Sequence, residues 1–182
     1  ELGTRILYNS PVRKVKQDAY GIAVSGDGFT VRAQHAVMAM SPWMASSVAY
    51  EPFDGPLQYR MQMMQRVPMG SIWKVHCVYD KPFWRDDGLC GQVTSDAYLT
   101  KLVFDNTPPE PGAPGVLMGF IDGQDARDAV LMTPEARKAN VLKAMSIYFG
   151  PKAATPIAYT ENNWQSENFS AGGPTGVFPP GV

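Results

Sequence analysis

A lysine stands in the middle of the most strand-like apolar segment of this 182-residue chain. Residues 71 to 79 read Ser-Ile-Trp-Lys-Val-His-Cys-Val-Tyr. A period of two puts Lys74 and His76 with Ile72 and Val78 on one face, and Trp73, Val75, Cys77 and Tyr79 on the other. An ammonium is costly to bury unless it has a partner or a task. Lys74 therefore either meets solvent on an edge strand or points into a polar cavity, and the strand alone leaves both readings open. His76, by itself, reads as an ordinary satisfied or solvated side chain. Cys77 points the other way and reads as a small core residue. Tyr79, Phe83, Trp84 and Arg85 follow as an aromatic group expected to plug the end of a sheet. Trp164 and Phe169 fit either a core or a pocket wall.

Other chemistry is missing from the sequence. It holds no G-x-G-x-x-G, P-loop, H-E-x-x-H or G-x-S-x-G pattern. Gly26-Asp27-Gly28 falls in hairpin turn chemistry, and Asp86-Asp87-Gly88 lacks the later ligands of a calcium loop. His35 and His76 are far apart, and Cys77 and Cys90 lack metal-site spacing, so no metal is expected.

The elements that must position these residues follow from periodicity and punctuation. Arg5 to Tyr8 and Val12 to Gln17 read as short strands around the Asn9-Ser10-Pro11 turn, and Gly21 to Val24 and Phe29 to Val31 as a hairpin. His35 to Ser41 is apolar on both faces and reads as a buried, parallel strand. Residues 42 to 49 and 56 to 66 read as helices, the second with a Leu57, Met61, Met64 stripe. Strands are expected near residues 90–94, 99–104, 116–121 and 157–160, with a proline-rich loop over 107–115. Thr133-Pro134-Glu135 starts a helix whose buried face is Val141, Leu142, Met145, Tyr148 and Phe149, and Gly150-Pro151 ends it. Strands and helices mix without strict alternation, which predicts an α+β fold around a mixed sheet flanked by helices.

Composition narrows the classes. The chain is 45% hydrophobic and 18% charged, with 17 Gly and 16 Pro, which excludes a disordered composition and implies many turns. A net charge of −1 offers no basis for nucleic-acid binding. No apolar run is long enough to span a membrane and no secretory signal is visible, so a cytoplasmic protein without a membrane segment is expected. Both ends read as cut, and the chain is expected to be an internal piece of a larger protein.

The blocks Met69-Gly70-Ser71-Ile72-Trp73-Lys74 and Tyr79-Asp80-Lys81-Pro82-Phe83-Trp84-Arg85 resemble the flavin-containing monoamine oxidase family. Leu2-Gly3 through Pro11-Val12, Val37-Met38-Ala39-Met40-Ser41-Pro42, Phe104-Asp105-Asn106-Thr107, Met118-Gly119-Phe120, Asn163-Trp164, and Gly172-Gly173 leading to Phe178-Pro179-Pro180-Gly181 fall in the same order as in that family. The resemblance implies an internal fragment, lacking the N-terminal dinucleotide-binding motif and the C-terminal segment. Residues 1–62 would be the middle segment of an FAD-binding α/β domain, 63–165 the second part of the substrate domain, and 166–182 the return to the FAD-binding domain.

It also implies roles. Lys74 matches the catalytic lysine that holds a water near the flavin. Val12 matches a backbone contact to the adenine end of FAD, Trp164 a tryptophan beside the flavin ring, and Gly172 and Gly173 the tail that meets the cofactor. Leu102 and Phe120 match substrate-cavity positions. Gly173 stands where covalent members carry Cys, so FAD is expected to be non-covalent. Pro174 replaces a tyrosine of the amine-orienting cage, which leaves amines other than small arylalkyl ones in play. The implied full enzyme is an oxidoreductase that oxidises the C–N bond of a small amine to an imine and passes electrons to oxygen, giving hydrogen peroxide. The fragment alone is expected to be inactive, to hold FAD weakly or not at all, and to self-associate through exposed surfaces. Two other readings remain: a related flavin enzyme of the desaturase or porphyrinogen-oxidase kind, or a non-catalytic α+β module that binds a small molecule or partner.

Overall fold

The computed structural model describes residues 2–181; Glu1 and Val182, at the ends of the blocks considered above, lie outside the described residues. The chain divides into two units, Glu1–Met69 with Thr175–Val182, and Gly70–Pro174.

In the first unit, Asp27 and Gly28 turn a hairpin between β2 (Gly21–Gly26) and β3 (Phe29–Ala33), with Gly28 at φ 79° supplying the left-handed backbone such a turn needs. β1 (Val12–Asp18) pairs antiparallel with β2, and β4 (Ala49–Glu51) pairs parallel with β1, giving the order β3-β2-β1-β4. Helix α1 (Pro42–Ser46) is capped by Ser41, whose Oγ accepts the Met44 N–H, and α2 (Gly55–Arg66) follows. Ala45, Met61 and Met64 make a small core with Leu57, Met38 and Tyr50 beside it. The Met61 and Met64 stripe is thus borne out.

Two expectations here are corrected. Arg5 to Tyr8 is not a strand: Gly3–Arg5 forms a 3-10 turn, and the chain then runs to the Asn9 turn without ladder partners. His35 to Ser41 is neither buried nor a strand, and Val37 is 91% exposed. An apolar run becomes a strand only where a neighbour supplies its hydrogen bonds, and none of the described residues does so.

In the second unit, β5 (Ile72–Tyr79) lies inside a five-stranded sheet of order β6-β7-β8-β5-β9, formed with β6 (Val93–Thr94), β7 (Leu102–Asp105), β8 (Gly115–Asp122) and β9 (Ala158–Asn163). All its pairings are antiparallel, so the parallel pairing in the α+β architecture comes from β1 and β4. Burial alternates residue by residue along β8 and, from Trp73 onward, along β5, because the sheet is covered on one face. On that face Trp73, Val75, Cys77, Tyr79, Val103, Leu117 and Ile121 pack against Ala126 and Ala129 of α3 (Gly123–Ala129) and Val141, Met145 and Phe149 of α4 (Pro134–Phe149). Phe83 and Trp84 close the sheet end edge-on to Tyr79, as expected. Gly119 leaves no room for a side chain: a Cβ there would lie 2.5 Å from Thr100 Cγ2 and 3.1 Å from Met145 Cε of α4.

One charge crosses into this core. Arg137 of α4 is 7% exposed. Its guanidinium donates to the Ala129 and Met132 carbonyls, lies 4.3 Å above the Trp73 ring, and pairs with Glu161 of β9 at 2.6 Å. Tyr159 donates to the other Glu161 oxygen at 3.0 Å. The pair ties α3, α4, β5 and β9 together, and every polar atom of the guanidinium group that it buries finds an acceptor of opposite or partial negative charge.

Among the described residues no helix is long and apolar enough to cross a membrane. Two outcomes follow from the packing. Arg137→Ala should lower the unfolding free energy by about 3–5 kcal/mol in urea denaturation, because it strands the Glu161 carboxylate without its partner. Cys77 is fully buried, with its thiol pushed up to about 11 by desolvation, whereas Cys90 is exposed. Iodoacetamide at pH 8 should therefore alkylate Cys90 in the folded protein and reach Cys77 only after denaturation, as read by peptide mass spectrometry.

Candidate active site

Because α3 and α4 cover one side of the sheet, the alternate residues of β5 face the other. Register then decides who stands beside Lys74: Phe120 on β8, Leu102 one strand further, and Asn162 on β9. The next row is His76 with Met118, Phe104 and Thr160. Lys74 is half-buried, so the edge-strand reading fails: β5 is flanked by β8 and β9. Its ammonium lies 5.5 Å from the centre of the Phe120 ring and 5.8 Å from that of Trp164. Such contacts stabilise a cation by about 0.5–2 kcal/mol, depending on how dry the site is. No carboxylate pairs with Lys74 among the described residues. Phe104 and Phe120 meet edge-to-face at 5.9 Å and extend the aromatic wall.

The tail segment completes this wall. The Trp164 N–H donates to the Ile72 carbonyl, and the Gly172 N–H to the Trp164 carbonyl at 2.8 Å. Gly173 donates to the Gly70 carbonyl at 2.9 Å. Gly172 and Gly173 are buried, and a Cβ on Gly173 would approach Ile72 Cγ2 to 3.3 Å. Pro174, the next residue, is exposed. The indole Nε1 of Trp164 is buried and has no acceptor, an unusual state for an N–H donor.

His76 is half-buried on this face. Burial, and then the neighbouring Lys74 ammonium, hold its imidazole below the usual histidine range. The structure thus brings Lys74, Leu102, Phe120, Trp164, Gly172 and Gly173 into one unit, with Pro174 at its edge. Val12 belongs to the first unit, where it opens β1 opposite Gly26. Sequence reasoning passed over Phe104 and Asn162, because their place beside His76 and Lys74 depends on strand register. Only the alternation on β7 and β9 hinted at it. A cavity of about 540 Å³ in the first unit, between β1 and α2, is lined by none of the expected site residues.

A donor N–H without an acceptor, a cation with aromatic neighbours and no acidic partner, and two side-chain-free residues in the same unit suit a flat, acceptor-rich heteroaromatic ring such as a flavin. Among the described residues no group of three His, Cys, Asp or Glu side chains gathers as a metal site.

The chain is 36% identical over 182 residues to the L-amino acid dehydrogenase of Synechocystis sp., covering all of this chain and 38% of that protein. It is 34% identical to the putrescine oxidase of Kocuria rosea, over 94% of this chain and 38% of that protein. Cyclohexylamine oxidase from Brevibacterium oxydans superposes with a TM-score of 0.89 at 32% identity, over 98% of this chain and 39% of that one. The chain spans well under half the length of these relatives. The profile of the family described as flavin containing amine oxidoreductase matches residues 1–182, and over that whole length the chain belongs to this family.

Proposed function

We propose that the protein containing this chain is an FAD-dependent amine oxidase, in which Gly70–Pro174 supplies one wall of the reaction cavity. The observation that carries the proposal is the Lys74 ammonium. It sits on the uncovered sheet face between Phe120 and Trp164 and has no acidic partner among the described residues. Names of the relatives support an amine substrate, and the family supports FAD. Bound FAD supplies the two-electron chemistry at the C–N bond of the amine, with oxygen as final acceptor.

The chain's own residues do the rest. Phe120, Phe104 and Leu102 make an apolar surface that strips water from a substrate carbon chain. Lys74 places three N–H donors at the edge of that surface, where they orient a water and favour developing negative charge. The Trp164 Nε1–H is set to donate to a cofactor or water acceptor. Gly172 and Gly173 leave room for a ring to come close to the backbone. Val12 would meet the adenine end through its backbone. Gly173 offers no sulfur, so the flavin is held without a covalent bond. Pro174 offers no ring to cage an amine, which favours substrates fixed by other contacts. Desaturase-like chemistry on the same scaffold is the second reading; peroxide release with an amine panel separates the two, since it is expected only for amine oxidation.

Lys74→Met should slow reoxidation of the reduced flavin by oxygen by about 10²-fold, the usual scale for losing one charged donor at such a place. Stopped-flow absorbance checks this, and reoxidation at the wild-type rate would remove Lys74 from the mechanism. Acid precipitation of the FAD-loaded protein should leave a colourless pellet with all flavin in the supernatant; yellow colour retained in the pellet would contradict non-covalent binding.

A further inference from the structure

Lys74 and His76 are successive residues on the uncovered face of β5, about 6.6 Å apart along the strand. Two of the acids nearby are turned elsewhere. Glu161 is drawn to the covered side by Arg137, and Asp105 is held by Trp84 and Arg85. Asp122 does share this face, but it ends β8 opposite Ile72, two pairs away from the His76 row. The row around His76 contains Met118, Phe104 and Thr160, none of which carries a charge. Burial, and then the Lys74 ammonium two residues away on the same face, disfavour the protonated imidazole. A field that opposes an imidazolium also opposes a substrate ammonium in the same place, and it favours an anion. A neutral imidazole donates one N–H, and gains its second proton when an anion is brought to it.

We infer that His76 determines specificity by receiving a carboxylate at the far end of the substrate, so that the preferred amine carries a carboxylate rather than a second ammonium. This rests on the proposed amine oxidation beside Lys74. Phe120 stands beside Lys74 and Phe104 in the row of His76, and the two rings, 5.9 Å apart, suit the methylene chain that would join the amine to its carboxylate.

The test uses three amines of equal chain length, 4-aminobutyrate, putrescine and butylamine, on the FAD-loaded protein containing this chain. The kcat/KM for 4-aminobutyrate should exceed that for putrescine at least ~10-fold, a ratio that His76→Gln collapses and His76→Glu reverses. A wild-type preference for putrescine, or an unchanged ratio in His76→Gln, overturns the inference. Calorimetric titration with butyrate needs no turnover: the wild type should bind it at least ~10-fold more tightly than His76→Gln does, and more tightly than it binds butylammonium. Equal binding of butyrate by wild type and His76→Gln also overturns the inference. If no amine reduces the flavin but butyrate binds through His76, the oxidase reading fails and the anion site stands. If amines are oxidised and butyrate does not bind, the oxidase reading stands and the anion site falls.

Discussion

The two-residue repeat of β5 constrains everything around it. Trp73, Val75, Cys77 and Tyr79 are sealed beneath α4, and each aliphatic or aromatic side chain buried there contributes on the order of 1.5–3 kcal/mol. Sliding the strand by one residue would pull these four into solvent and drive Lys74 and His76 into a core whose acids, Glu161 and Asp105, are already paired. The polar face is therefore held in register by the apolar one. The placement of Lys74 is a by-product of burying its neighbours, and the site inherits its rigidity from packing on the opposite side of the sheet.

This explains what could be read from the sequence. β5 and α4 were legible because their signals are local: a strict alternation in one, and the Thr133-Pro134 start with the Gly150 stop in the other. The expected substrate-facing residues Leu102 and Phe120 came from motif resemblance, and the register across β7, β8 and β5 sets them in one row with Lys74. Helix α3 was invisible, since Gly-Gln-Asp-Ala-Arg-Asp-Ala has only two apolar residues to bury and begins with a helix breaker. It is held by Ala126 and Ala129 against the core and by the Gly123 N–H on Ser71. The role of Arg137 was equally hidden. It looks like any helix-surface arginine until β9, 24 residues away, brings Glu161 to it.

His35 to Ser41 failed in the opposite sense. Its composition is that of a strand enclosed on both sides, yet composition describes a preference for burial and carries no partner with it. Val37 and Met40 stay exposed among the described residues for lack of one. The misreading and the site have a common lesson. Where a segment's neighbours lie within the chain, as for β5, periodicity predicts placement. Where no partner pairs with the segment among the described residues, as for residues 35–41, it predicts only appetite for a neighbour.

The joints at either end of the second unit carry a consequence of their own. Gly70 and Gly173 are hydrogen-bonded, and just outside the unit Met69 bridges Gly176 while the Val177 N–H meets the Pro68 carbonyl. Entry and exit therefore run side by side, like the stem of a loop more than a hundred residues around. A module with paired ends can be lifted out and replaced by a homologous one without changing the distance its host must bridge. Evolution could thus vary the sheet face that carries Lys74 by exchanging this cassette, leaving the remainder of the protein in place.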